Sequence, residues 1–260
     1  MTTVIYDGTY EGWLTAVFDI YEYKLDDVIF AKGEQVISSL FGITHKVLTD
    51  DRKAMRVLKG LQQRLSTEGQ RRIFLTLLSE IDKAEDKMLR FVRYTFSSAV
   101  NIEQDLANPV VSDIREAARL VKKEAHRMEA FVRFQLTKDD LYDPLYYAAI
   151  EPDCDVLSLI SNHFKNRYAD QRWLIYDLRR KYGIYYDLET VNTVEIQFQY
   201  SQAASHLSPE ICDEREEFFQ NLWRSYFSAV NIEARKNLRL QMKHMPKRYW
   251  KHLTEKKPNY

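Results

Sequence analysis

The residues best placed to do chemistry lie in the stretch His126-Arg-Met-Glu-Ala-Phe-Val-Arg-Phe134. His126 and Glu129 stand three apart, so on a helix they share a face, with Arg127 and Arg133 close by. Glu151 and His163 follow. If their elements adjoin, His126, Glu129, Glu151 and His163 form an acid/base set that can take and return a proton. A structural ion-pair network accounts for the same four residues. Half a metal site fits less well, because helical carboxylate sites put Glu before His and no second matched pair is present. No metal and no cofactor is expected.

A second candidate is the C-terminal stretch. From Arg235 to Tyr260 there are nine Lys or Arg and one acid, Glu255, interleaved with His244, Tyr249, Trp250 and His252. Cations meet phosphates and flat rings stack on bases, which suits nucleic acid. Lys and Arg at a helix end also complement its dipole, and a solvated tail reads the same way. On the first reading Arg239, Lys247 and Arg248 contact phosphates, Tyr249 and Trp250 stack, and Arg133 and Arg167 extend the surface. Pro246 is expected to break the helix and turn Lys247-Arg-Tyr-Trp250 outward. A protein–protein adaptor predicts the opposite, with Tyr249 and Trp250 buried and the lysines merely solvated.

The elements that carry these residues follow from periodicity. Val110, Ile114, Ala117, Ala118, Val121, Ala125 and Met128 make one apolar stripe of a long helix. Asn108-Pro109 supplies its cap and first residue. Phe131 to Leu136 is aromatic and β-branched enough for a strand, so the helix is expected to switch to a strand inside the first motif. Upstream, Thr2–Tyr6 reads as a strand, Thr9 as the cap of a helix to about Lys24, and Val28–Phe30 as a second short strand. Phe41-Gly42-Ile43 reads as loop or edge. Residues 49–99 are helical, with Met55, Leu58, Leu61 and Leu65 inward and a restart at Thr67-Glu-Gly-Gln70. Downstream, strands are predicted at 145–150, 173–177, 183–187 and 191–198, with a helix capped by Asp153 between the first two. Short links imply antiparallel neighbours. A last helix opens at Ser208-Pro209, with Ile211, Phe218, Leu222, Tyr226 and Val230 inward. Phe96-Ser-Ser-Ala-Val-Asn-Ile-Glu103 is echoed by Phe227-Ser-Ala-Val-Asn-Ile-Glu233, which similar helix packing explains without duplication.

The fold class is therefore α+β: a mainly helical region over 1–105, then a central antiparallel sheet backed by long helices over 106–260. Lys plus Arg equals Asp plus Glu at 38 each, so any electrostatic argument is local. Cys154 and Cys212 form no zinc or disulfide pattern. No signal segment and no apolar run of membrane length is visible, which predicts a cytoplasmic protein with no membrane partner. Gly-rich phosphate loops, nucleophile elbows and H-E-x-x-H are missing from the sequence.

Several motifs together resemble a bacterial family. They are Tyr6-Asp-Gly-Thr-Tyr-Glu-Gly-Trp-Leu-Thr-Ala-Val-Phe18, the 126–134 stretch, Glu151-Pro152, His163-Phe164 with Arg167, Trp173-Leu-Ile-Tyr-Asp177 and His244-Met-Pro-Lys-Arg-Tyr-Trp250. That family is named for DNA metabolism or DNA repair and centred on a domain of unknown function. Its members are similar in being encoded beside a radical-SAM protein assigned to DNA modification or repair. In longer relatives the domain is fused to a uracil-DNA glycosylase-like domain. This chain stops at Tyr260, so no glycosylase half is expected and none of its activity is carried over. The resemblance implies an accessory protein that binds DNA with a radical-SAM partner. The alternative is a repair enzyme of glycosylase, lyase or nuclease type using the four acid/base candidates.

Overall fold

The structure, a computed structural model, describes residues 1–33, 43–137, 144–196, 216–229 and 237–256. The chain divides into two compact units, Met1–Lys122 and Lys123–Tyr260. Taken together the elements make an α+β protein, as the periodicity predicted.

In the first unit, β1 (Thr2–Tyr6) leads through α1 (Tyr10–Glu22) to β2 (Val28–Lys32), and β3 (Ile43–Lys46) follows. The sheet order is β2-β1-β3 and both pairings are parallel. Ile43, expected in a loop or edge, starts the edge strand β3, while Phe41 and Gly42 lie outside the described residues. Thr9 caps α1 by accepting from the Gly12 amide at 2.9 Å. Asp7, in the turn before it, accepts from the Thr9 amide, the Thr9 hydroxyl and the Thr49 hydroxyl. Gly12 is required by that arrangement: a Cβ there would lie 2.1 Å from Asp7 Oδ1. The first motif of the resemblance is thus accounted for by local structure.

Three helices follow: α2 (Asp51–Gln62), α3 (Thr67–Leu78) and α4 (Ala84–Ser97). Two details differ from expectation. Met55 is exposed, and the inward stripe of α2 is Ala54, Val57 and Leu61. The cap of α3 is Ser66, one residue before Thr67, and it accepts from the Gly69 amide. Glu103 clamps that cap, accepting from the Ser66 amide and hydroxyl. So the 96–103 stretch ends α4 and pins α3, while most of its echo lies outside the described residues. Val4, Trp13, Val17, Leu61, Ile73, Met88, Val92 and Ile114 form the core of this unit.

α5 (Pro109–Phe131) gives its first part to this unit and its last turns to the second. Asn108 caps it through the Val110 amide at 3.0 Å. The second unit holds β4 (Gln135–Thr137), β5 (Leu145–Ile150), α6 (Leu157–Arg167), β6 (Arg172–Asp177), β7 (Tyr182–Tyr186), β8 (Val191–Val194), α7 (Glu216–Ala229) and α8 (Leu238–His244), then short 3-10 turns at Lys247–His252 and Thr254–Lys256. Sheet order is β4-β5-β6-β7-β8. The expected antiparallel sheet is mixed: β5 and β6 are parallel, because α6 is a crossover long enough to return the chain, and the other pairs are antiparallel.

Three further expectations are corrected. The strand starting at Phe131 begins only at Gln135, since α5 runs through Phe131. Asp153 does not cap α6; the N-cap position is Val156, without a side-chain bond. On α7, Phe218, Leu222 and Tyr226 were expected inward but are 65%, 57% and 57% exposed. Residues 197–198, the Ser208-Pro209 start, Ile211, Cys212 and Val230 lie outside the described residues. The core on the α6 side of the sheet is aromatic: Trp173 is fully buried, with Phe134, Phe164 and Tyr186 centroids at 6.4, 6.1 and 5.5 Å.

Candidate binding pocket and the network beside it

α5 ends, α6 runs past and α7 closes a concave site in the second unit, with a cavity of about 710 Å³. Such a volume is in the range of small-molecule pockets. Its polar groups include Glu129 from the last turn of α5, Arg133 just beyond, His163, Arg167 and Gln171 from α6 and its exit, and Glu216 and Gln220 from α7. His163 and Arg167 are one turn apart, so both reach the same wall. Rings supply the rest: Phe134, Phe164 and Tyr168 are mutually packed at 5.4–6.2 Å, and Tyr146, Phe219 and Trp223 add further surface.

Two carboxylates fix the wall that α7 provides. Glu216, buried at its start, accepts from the Leu136 amide at 2.9 Å and from Gln220 at 2.8 Å. Glu255, with a side chain only 1% exposed, accepts from Arg133 at 2.8 Å and from the Trp223 indole at 3.0 Å. The Arg133 guanidinium also lies 5.6 Å from the Trp223 ring. Burial by itself would raise the Glu255 pKa, but the Arg133 and Trp223 hydrogen bonds hold it below its ordinary 4.5. A depressed folded-state value stabilises the protein above the unfolded value and is lost as pH falls through the folded one. Thermal unfolding followed from neutral pH to acid should show stability falling below about 4.5, and Glu255→Gln should flatten that fall while lowering stability at neutral pH. An equally steep acid limb in the variant would remove Glu255 from the explanation.

The C-terminal basic motif is organised differently from the outward platform its composition suggests. Tyr249 is 2% exposed, and its hydroxyl donates to Glu124, a buried carboxylate on α5. Arg248 reaches Glu124 at 3.2 Å and Asp153 at 2.7 Å. Lys251 pairs with Glu151. Glu124 also accepts from the Asp153 amide at 2.9 Å and lies 3.5 Å from Arg127. On the far side of the same loop, Arg180 bridges Asp177 at 2.7 Å and the Pro152 carbonyl at 3.1 Å. The segments at 124–129, 151–153, 177–180 and 248–251 therefore converge on one polar latch. Burial, then the Glu124 carboxylate, push the Tyr249 hydroxyl well above its usual range, so it stays a donor.

This places the expected residues as follows. Tyr249 is a latch residue, because its ring is enclosed and cannot stack on a base. Arg248 and Lys251 are matched by carboxylates. Trp250 is half-buried, its indole donating to the Met245 carbonyl at 3.0 Å, with the Lys247 and Lys256 ammonium groups 5.9 and 4.9 Å from its ring. Lys247 and Arg239 are exposed. Arg235, Lys236 and Lys257 lie outside the described residues. Arg133 and Arg167 line the pocket.

The four acid/base candidates are not assembled as one set. Glu129 and His163 share the pocket; His126 is an 86% exposed neighbour of Glu129 at 3.4 Å, and Glu151 lines a separate cleft with Asp153, Arg179 and Arg248. Among the described residues no three His, Cys, Asp or Glu side chains gather in a metal-binding group. No helix among them is long and apolar enough to cross a membrane. Sequence reasoning missed Glu124, although Ile114, Ala117, Val121, Glu124 and Met128 step by three and four along the buried stripe. A carboxylate in that stripe requires a donor from elsewhere.

No curated protein matches the chain. A family model described as a domain of unknown function, DUF4130, matches residues 82–255, which include all of α4 and α5, the pocket and the latch. That match covers well over half of the sequence, and the chain belongs to the DUF4130 family.

Proposed function

We propose that this chain is a DNA-associated accessory protein that receives an unpaired base in the pocket of its second unit. It acts with a radical-SAM partner on damaged or modified DNA. The observation that carries the reading is the pocket wall, where stacked rings stand beside Arg167, His163, Glu129 and Gln220. Rings accept the flat face of any base, at about 1–3 kcal/mol per stacked base. The polar groups offer both donors and acceptors to its edge, and Arg167 suits the adjoining phosphate. The DNA and the radical-SAM partner come from the resemblance of the motifs, and the rings and polar groups of the pocket are what support the first.

The test titrates the full chain with single-stranded, perfectly paired and mismatched or damaged DNA at two salt concentrations. His163→Ala with Arg167→Ala should weaken binding to unpaired bases by about tenfold or more, as loss of one good stacked or charge-assisted contact predicts. Perfect duplex should be affected far less. Strand-dependent tryptophan quenching should vanish in Trp223→Phe. A double variant that binds all three DNAs like the parent removes the reading.

A second reading, a repair enzyme, is favoured by one observation: Glu129 and His163 line the same pocket and are of the types that exchange protons. It expects turnover of a damaged-base oligonucleotide that Glu129→Gln abolishes while binding persists. Substrate left intact at high protein excess removes it.

A further inference from the structure

The first unit holds a cleft of about 590 Å³ between α3 and α5, sharing no lining residue with the pocket or the latch. Arg115, Arg119 and Lys122 line it from α5, spaced four and three apart and so on one face. Arg72 faces in from α3, with Ser112 nearby. Two carboxylates share the cleft, Glu68 and Glu116. Glu68 is already held, with Lys122 at 2.6 Å and Arg72 at 3.5 Å. The hydrogen bond from Lys122 outweighs burial and keeps the Glu68 carboxyl below its ordinary value, so it stays charged with its partners in place. Among the described residues Arg115 and Arg119 have no carboxylate partner.

We infer that this cleft binds the phosphodiester backbone of a nucleic-acid strand. Three features select that ligand. Guanidinium forks meet phosphate oxygens two at a time, which ammonium groups do not. Residues 115 to 122 rise about 10 Å along the helix, so their cations form a row that can follow successive phosphates of one strand instead of enclosing a single anion. The cleft has no aromatic ring and only Leu106 and Ala118 as apolar lining, so it lacks both a stacking surface for bases and the apolar anchor of a protein interface. Binding here is therefore independent of base sequence. The inference shares with the proposed function the premise of a nucleic-acid partner but uses different residues.

The experiment follows fluorescein-labelled oligothymidylate by anisotropy over a range of salt, using the full chain. Arg115→Gln with Arg119→Gln should lower affinity about tenfold at low salt and reduce the log–log salt slope by about 1.4, since each phosphate contact on a single strand contributes about 0.7. Arg119→Lys alone should keep the slope. Circular dichroism and thermal midpoints of the variants should match the parent, because the replaced side chains lie at the surface. An unchanged slope and affinity in the double variant overturns the inference, as does a parent protein that fails to bind at low salt. Polyglutamate that displaces the strand equally well at equal charge overturns it too, by showing a surface for any polyanion. The outcomes separate from those at the pocket: cleft variants lose about 1.4 of salt slope on every DNA and keep the preference for unpaired bases, whereas the pocket variant loses that preference and only the roughly 0.7 of slope that Arg167 supplies.

Discussion

Replacing Glu124 by Ala should destabilise the second unit by about 3–5 kcal/mol, the cost of leaving buried partners of a removed charge unmatched. Glu124 is 2% exposed and meets Tyr249, Arg248, Arg127 and the Asp153 amide. Its loss leaves the Tyr249 hydroxyl and the Asp153 amide without their acceptor in the interior, and among the described residues leaves Arg248 with Asp153 as its one carboxylate partner. Glu124→Gln keeps an acceptor for Tyr249 and should cost less. A chain of two units need not unfold in one step. The measurement is therefore urea unfolding followed by amide exchange resolved along the chain. Protection should fall around 124, 153 and 248–251 and remain in α1 to α4. A midpoint within error of the parent would mean that the latch contributes nothing net.

Phe164→Ala is expected to have a comparable effect for a different reason. The ring is buried between Phe134, Tyr168 and Trp173 and also lines the pocket. Truncation removes its apolar area and leaves a cavity, typically about 3–5 kcal/mol for Phe→Ala. Phe164→Leu, closer in volume, should cost less than about 1.5 kcal/mol. If the packed rings form the floor on which a ligand rests, the Leu variant folds but binds unpaired bases more weakly. Calorimetric unfolding alongside the DNA titration separates the two effects. A Leu variant with parental binding would show that the ring supports the fold without touching ligand.

How much of this was legible depends on the range of the interaction involved. Local rules placed Thr9, Asn108 and the helices of the first unit, since caps and 3.6-residue periods act within a few residues. The same rules set the α3 cap one residue late, because Ser66 and Thr67 carry the same hydroxyl and only Glu103, far along the chain, selects between them. Phe131 to Phe134 looked extended because aromatic residues suit strands, yet the stripe of α5 continues through Met128 to Val132, and the helix carries the chain through Phe131. The apolar period of α7 was visible, but a period reveals one apolar face and not what that face meets. Nothing local distinguishes parallel from antiparallel pairing of β5 and β6 except the length of the link, and that link contains α6. The candidate site was legible in part. Glu129, His163, Arg133 and Arg167 line one pocket, whereas the carboxylates that match the basic C-terminus, Glu124, Glu151 and Asp153, lie about a hundred residues upstream and carry no local signal of that pairing.

Those separations have a consequence for how the protein is made. Glu124 precedes its Tyr249 partner by 125 positions. During translation at about 5–20 residues per second, that carboxylate has Arg127 beside it at once but waits roughly 6–25 s before Arg248 and Tyr249 are added to the chain. Through that interval the loop carrying Glu151 and Asp153 lacks Lys251 and Arg248, the cations that pair with it. The latch of the second unit is thus incomplete until residues 248–251 have been made.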